Sequence, residues 1–526
     1  MRKMLSILLM LCATTIKALT QTVHNPQISS QELIGMEIPA GSLTEPTRGG
    51  RILSAEKNLS PEGRAYVDVK GIISSIDTLA PNIEWRMLLP DEWNGRSLQM
   101  GGGANNGSIP DVEGYSSMSS LRPVSAGYLT YADDSGHQAD GNDATFAANE
   151  EALDNYIRKH LIKARMAMQY VAQQYYGKSP QYNYFAGCST GGREALECAT
   201  TYGKYYDGVF CSEPCSNFML VRLWGAIMSK AVYDGYDVEK KPVPDGFIGQ
   251  DTLKHIQQDA IAAYDELDGI KDGIVSNMFA ARANKENILK QLTERYHLSK
   301  AQVNTLRVYE DGYRLPYQMA NGMNSYQGYA ALEGGWMAIG ADPVPREPIS
   351  PRYNVHHGGR SDGVFKYFVT KDPTWRLIDH DYIHPDKKLK KMILDASARY
   401  DANSPEFDDF LAHGGKLILF GGWNDMSISP WQLIAQYQGY VTKYGQQKVD
   451  KFCKFYLMPG VIHGWGISMD YLDWLDTWVS TGQYPQNPIY ADLKATQGQM
   501  PMAEYPGWVK YVGGDPKVGS SYVIEK

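Results

Sequence analysis

The chain has 526 residues, 43% of them hydrophobic and 21% charged, a globular composition too long for one minimal domain. Its formal net charge of -8 argues against nucleic acid or an anionic membrane as the main partner. Tyrosine is abundant at 36 copies beside 11 Trp and 13 Phe, which suits phenolic or carbohydrate surfaces but also ordinary packing.

At the N-terminus, Arg2 and Lys3 precede an apolar run from Met4 to Ala13, followed by small and polar residues. This is the pattern of a secretory signal over 1–20, and the run is too short to span a bilayer. Leu11 before Cys12 is too bulky for a good lipidation site, so a soluble secreted or periplasmic protein is expected. Export permits disulfides, but Cys188, Cys198, Cys211, Cys215 and Cys453 make an odd set after signal removal. They form no metal motif.

Residues 63–72 and 83–90 read as strands, and 127–132 as another. Between them, Gly101-Gly102-Gly103 follows a short apolar run. Residues 150–176 carry apolar side chains at three- and four-residue spacing and predict a helix. A strand at 182–186, a glycine turn and a helix at 193–200 follow. From 214 to 385 the chain is rich in Pro, Gly, Tyr and charge, with one clear helix near 249–264, and reads as an inserted lid domain. The strand and helix alternation resumes from 386: a helix, a strand at 416–420, a helix from Trp431, a strand at 452–458 and a last helix near 470–480. The fold class is therefore α/β, with a parallel-rich sheet whose core parts, 21–213 and 386–526, flank the lid.

Gly187-Cys188-Ser189-Thr190-Gly191 is a G-x-S-x-G sequence between a strand and a helix, the context of a nucleophile elbow. A serine hydroxyl needs a base. Asp425 and His463 each follow a predicted strand, in the order Ser, acid, His that such a sheet uses. Ser189 is thus the expected nucleophile, His463 the base and Asp425 the residue that orients it. His137 and Asp401 are the rivals, the first in the wrong chain order and the second not at a strand end. The oxyanion hole is expected from the N–H of Thr190 and of one glycine of the 101–103 cluster, taken as Gly102.

Asp265, Asp268 and Asp272 lie three and four apart on a glycine-rich loop, 265–274. Hard oxygen ligands so placed suit Ca²⁺, with the carbonyls of Ile270 and Ile274 completing the set; a solvated acidic turn is the alternative.

With these motifs in place, the chain resembles the tannase and feruloyl esterase family. The matching stretches include WNGR (93–96), GGG (101–103), YFAGCSTGGREAL (184–196), DELDGIKDGI (265–274), GGKLILFGGWND (414–425) and YLMPGVIHGWG (456–466). The resemblance implies an α/β-hydrolase core, a lid holding one structural Ca²⁺, and hydrolysis of aromatic or phenolic carboxylic esters. It also implies a disulfide from the residue before the serine to the residue after the histidine. Cys188 is present, but residue 464 is Gly, so that link cannot form; Cys188 is then either a free buried thiol or paired with another partner such as Cys453. Trp336, Phe365, Tyr367 and Phe368 are candidate walls for an aromatic acyl group, and Arg360 or Arg376 candidates for a substrate carboxylate. A small-acyl esterase and a non-catalytic calcium-stabilised binding protein are the alternatives.

Overall fold

The computed structural model describes residues 23–114, 118–464, 466–486 and 488–526. The expected signal segment lies outside them. Chain order gives β1 (Glu37–Ile38), β2 (Gly50–Leu59), β3 (Ala65–Ile73), β4 (Ile83–Pro90), β5 (Arg96–Met100), β6 (Leu129–Asp133), β7 (Tyr182–Cys188) and β8 (Gly208–Ser212). A small hairpin, β9 (Tyr313–Arg314) and β10 (Ser325–Tyr326), precedes β11 (Lys416–Gly422) and β12 (Cys453–Met458). All but the hairpin join one sheet of ten strands in the order β1-β2-β3-β4-β6-β5-β7-β8-β11-β12.

The sheet has two halves. From β1 to β6 neighbouring strands are antiparallel. From β6 through β5, β7, β8 and β11 to β12 they are parallel. In the parallel half both faces are buried. Phe185, Val209 and Leu419 join one apolar cluster, while their neighbours Tyr184, Phe210 and Phe420 join another on the opposite face. Successive side chains of a strand point to opposite faces, so a strand buried on both reads as a continuous apolar run. Each such Phe or Leu contributes roughly 1.5–3 kcal/mol by leaving water.

Between β8 and β11 lies the segment read as one clear helix amid loops. It holds more: Phe218–Tyr233, Gln250–Tyr264, Lys285–Arg295, Lys300–Asp311 and His356–Val364 are all helical. Phe218–Tyr233 is apolar and buried nearly all round, unlike the half-polar pattern of a surface helix. No helix among the described residues is long and apolar enough to cross a membrane.

The parallel half decides where chemistry can occur. The C-terminal ends of β5, β7, β8, β11 and β12 share one edge, and the residues just beyond them are Gly101–Gly103, Ser189, Glu213, Asp425 and His463. Loops at this edge are where open parallel sheets bind ligands.

Candidate active site

Ser189 sits between β7 and the helix Thr190–Thr200 with φ +63° and ψ -117°. A non-glycine residue held there stores roughly 1–3 kcal/mol of strain, which the surroundings must hold in place. The Ser189 N–H donates to the Ser212 carbonyl at 3.1 Å, and its own carbonyl accepts from Arg193 and Cys215 N–H groups at 3.0 Å each. Glycine is required at 191, because a Cβ there would lie 2.7 Å from the Gly102 carbonyl oxygen. The elbow therefore presses directly on the glycine loop after β5.

Asp425 is buried in the turn after β11, where one carboxylate oxygen accepts from the Ser427 and Ile428 N–H groups at 2.6 and 2.9 Å. The other oxygen, Oδ2, lies 2.8 Å from His463 Nδ1. Burial works to lower the His463 pKa, but the Asp425 charge and hydrogen bond, with the Glu213 charge beside them, outweigh it and raise it to about 9. Ser189 and His463 line one cavity of about 870 Å³, together with Gly101–Gly103 and Thr190.

Gly102 requires a correction. Its N–H is committed to the buried Glu194 Oε2 at 2.9 Å, and a Cβ there would collide with Asn106 Oδ1. The glycine is needed for packing, and its N–H already has an acceptor; the next residue, Gly103, lines the same cavity. Thr190 keeps its expected place at the first turn of its helix, where N–H groups lack intrahelical acceptors.

The expected acyl-pocket walls are also corrected: Trp336, Phe365 and Phe368 are absent from the cavity lining, as are Tyr367 and Arg376. Phe365 packs on Tyr382 at 4.8 Å, and Phe368 on Phe146 and Tyr400 at 5.6 and 5.7 Å, in the core. Trp336 is 46% exposed, and Arg376 pairs with Glu347 and Asp379 at the surface. The helix from His356 widens to a π-turn over Phe365–Val369, which breaks the register from which a shared face could be read.

The walls come from elsewhere. Phe210 and Phe420 line the cavity from β8 and β11, and Tyr471 stacks on Phe210 with ring centroids 3.6 Å apart. Met118 and Met469 add apolar surface. Arg222 and Arg360 bring positive charge to the lining, and His356 lines it too, kept neutral because burial lowers its pKa to about 3. Burial, then the nearby Arg222 charge, lowers the Arg360 pKa to about 10. No sequence period marks these residues, because they converge from separate strands, helices and loops.

The rivals have other work. His137 is buried, with Nε2 2.9 Å from the Asn105 carbonyl and its ring stacked on Phe146, and burial lowers its pKa to about 4. Asp401 accepts from the Met219 N–H at 2.8 Å, at the start of the helix Phe218–Tyr233. Cys188, Cys198, Cys211, Cys215 and Cys453 are all free thiols, so the Cys188–Cys453 pairing is not formed.

The model of the family described as "Tannase and feruloyl esterase" matches residues 67–524. An uncharacterized esterase of Agrobacterium fabrum is 37% identical over 509 residues, 92% of this chain and 91% of that protein. A probable feruloyl esterase of Arthroderma benhamiae is 25% identical over 461 residues, 83% and 81% of the two chains. The crystal structure of feruloyl esterase B from Aspergillus oryzae superimposes with a TM-score of 0.73 at 18% identity, covering 90% of this chain and 97% of that one. The likeness places this chain's large mixed sheet and its helices in the α/β-hydrolase fold. With a match over most of its length, this chain belongs to the tannase and feruloyl esterase family and is a carboxylic ester hydrolase.

Proposed function

We propose that the protein hydrolyses esters of aromatic acids, of the feruloyl or galloyl type, through Ser189, His463 and Asp425. The observation that carries this reading is the 2.8 Å His463–Asp425 pair opening into the same cavity as a serine on a strained elbow. Ser189 Oγ attacks the ester carbonyl while His463 Nε2 takes its proton. Asp425 keeps the imidazole oriented through Nδ1 and stabilises the imidazolium. The Thr190 and Gly103 N–H groups face the oxyanion that forms. Collapse of the tetrahedral intermediate breaks the bond to the alcohol, which leaves with the proton from His463. Water then attacks the acyl-enzyme, giving up a proton to His463, and the acid is released as Ser189 is reprotonated.

The cavity supports a large acyl group. An acetyl ester needs a small part of about 870 Å³, whereas an aromatic acid can lie against the surface of Phe210, Phe420 and Tyr471. Arg360 in the lining is placed to hold an anionic part of a substrate.

The 265–274 loop suits a structural Ca²⁺. Burial raises the pKa of Asp272 to about 6, and the charges of Asp268 and Asp265 add to the rise, a repulsion that a hard cation would relieve. Asp265, Asp268 and Asp272 would hold it, with the Ile270 and Ile274 carbonyls. The Ile274 side chain lies against Gly460, in the loop that carries His463, so order in this loop supports the site. The N-terminal signal pattern supports export.

The test is turnover of methyl ferulate, methyl gallate and p-nitrophenyl acetate. Ser189→Ala is expected to lose on the order of 10⁴-fold or more in kcat on the aromatic esters. Cleavage of the acetate alone, or turnover that survives the substitution, refutes the reading. Chelation with EDTA is expected to lower the melting temperature, and added Ca²⁺ to restore it. A melting curve indifferent to both removes Ca²⁺ from the account.

A further inference from the structure

Glu213 stands just beyond β8, between the strand that carries Ser189 and the strand that precedes Asp425. Its backbone is in the left-handed region at φ +46°, and its N–H donates to the Phe420 carbonyl at 2.8 Å. The side chain is 1% exposed. One oxygen, Oε2, gathers three neighbours. The Gly464 N–H donates to it at 2.6 Å, the Cys188 thiol donates to it at 3.2 Å, and His463 Nδ1 lies 3.5 Å away. Cys188 immediately precedes the serine and Gly464 immediately follows the histidine. A single buried carboxylate oxygen therefore ties the two loops together at the point where the base must meet the nucleophile.

The backbones are already close there. A Cβ built on Gly464 would lie 3.6 Å from Cys188 Sγ, near the spacing at which a direct cross-link would form. No such link exists: Gly464 has no side chain and Cys188 is a free thiol. The hydrogen bonds through Glu213 are what spans the gap. Charge-assisted bonds from N–H and S–H to one carboxylate are directional, so they fix position as well as distance.

We propose that Glu213 is a positioning residue, holding the His463 loop against the Ser189 elbow and presenting a second carboxylate to His463 Nδ1 beside Asp425. The proposal rests on Ser189 and His463 being the reacting pair. The titratable groups facing His463 are Asp425, Glu213, Arg360 and His356, the last kept neutral because burial lowers its pKa to about 3; those facing Glu213 are Asp425, His463 and the protonated Cys188 thiol. Removing the Glu213 charge takes away one of the two groups that favour the imidazolium.

The same Cys188, Glu213 and His463 atoms are close enough to one another to hold a metal ion. His463 Nδ1 is bound to Asp425 and the thiol is spent on Glu213, so the geometry is that of a hydrogen-bonded cluster.

The experiment compares wild type, Glu213→Gln, Glu213→Ala, and Glu213→Ala with Gly464→Cys, using Ser189→Ala as the inactive control. On methyl ferulate, both single variants are expected to lose roughly 10–100-fold in kcat, with KM within about twofold, because a base displaced by a fraction of an ångström is a poor base for a bound substrate. The acid limb of kcat/KM is expected at lower pH in Glu213→Gln. In the double variant, oxidation of Cys188 with the thiol introduced by Gly464→Cys is expected to recover at least about tenfold in kcat, reversed by dithiothreitol. An NMR titration of His463 reads the charge effect without any turnover, and its pKa is expected to fall in Glu213→Gln. Single variants within about threefold of wild type in kcat, with an unmoved His463 titration, would overturn the proposal. So would a loss of kcat that follows a lowered melting temperature and is not recovered by the link. Activity surviving in Ser189→Ala would instead refute the functional reading, while the titration still decides whether Glu213 acts on His463.

Discussion

Two buried glutamates flank the nucleophile elbow, and they behave differently. Glu194, on the helix after Ser189, faces the glycine loop, and its Oε2 accepts the Gly102 N–H at 2.9 Å and its Oε1 the Asn106 amide at 2.6 Å. It also lies 3.5 Å from His160, whose other ring nitrogen is 2.7 Å from Asp133. Burial works to lower the His160 pKa, but the two carboxylates outweigh it and raise it to about 10, so a cation sits between them. Burial works to raise the Glu194 pKa, and His160 more than offsets it, so Glu194 stays ionised. Glu213 has no such private cation. Burial, then the Asp425 charge, push its pKa up, and only His463 and its hydrogen bonds oppose them. At similar depth, one glutamate is tied to the glycine loop and a buried histidine, and the other shares its charge with His463, the proposed base. The difference comes from which neighbour holds the compensating charge: a buried histidine outside the cavity in one case, the cavity-lining His463 in the other.

That contrast breaks most decisively on the scaffold side. Glu194→Ala removes one of the two carboxylates that hold the His160 charge, leaving Asp133, and leaves the Gly102 N–H and the Asn106 amide without their acceptor, so it is expected to destabilise the fold by about 1–3 kcal/mol. Urea unfolding is the measurement, and a variant as stable as wild type would show that Glu194 is not the counter-charge described. The Glu213 variants should instead spare stability and reduce kcat.

A second, intermediate effect is in pH. The base must be neutral to accept the serine proton, and the folded protein holds the His463 pKa up to about 9. Below that pH the imidazolium predominates, so kcat/KM is expected to climb with pH and level off as it passes about 9. A profile already flat from pH 6 would mean that the Asp425 and Glu213 charges do not act on His463 as the geometry indicates.

The smallest effect is expected at Cys188. Burial, then the Glu213 charge, raise its pKa, so the thiolate is scarce near neutrality. Iodoacetamide is expected to label it far more slowly than the unfolded chain, and Cys188→Ala to change kcat by less than Glu213→Ala. Removing the thiol leaves the Gly464 N–H and His463 contacts of Glu213 in place. Fast labelling of the native protein, or a larger loss in Cys188→Ala, would reverse the ranking.

What the sequence by itself determined is the part of the site built on local chain geometry. The elbow at Ser189 needs glycine at 191 because two backbones meet there, and that requirement is written as a motif. Asp425 and His463 follow short apolar runs that read as strands of a doubly covered sheet, so their place at its C-terminal edge was legible. Glu213 carried a weak signal of the same kind, as a carboxylate one residue past a strand in that edge. Read together with the absence of a cysteine at 464, it could have been found.

Tertiary structure alone decided the rest. Whether the Gly102 N–H is open to a substrate depends on Glu194 reaching across from a helix 92 residues later. Phe365 and Phe368 are core and Phe210 and Tyr471 are cavity wall because a π-turn and two long-range packings set which side of each element faces the substrate. Aromatic residues bury the same apolar surface in either place, so composition carries no mark of the difference. The Glu213 bridge spans 251 residues to Gly464 and forms only once β8 and β12 flank β11. A hydrogen bond depends on ångström distances between segments that local patterning does not relate, and the packed sheet is what brings them together.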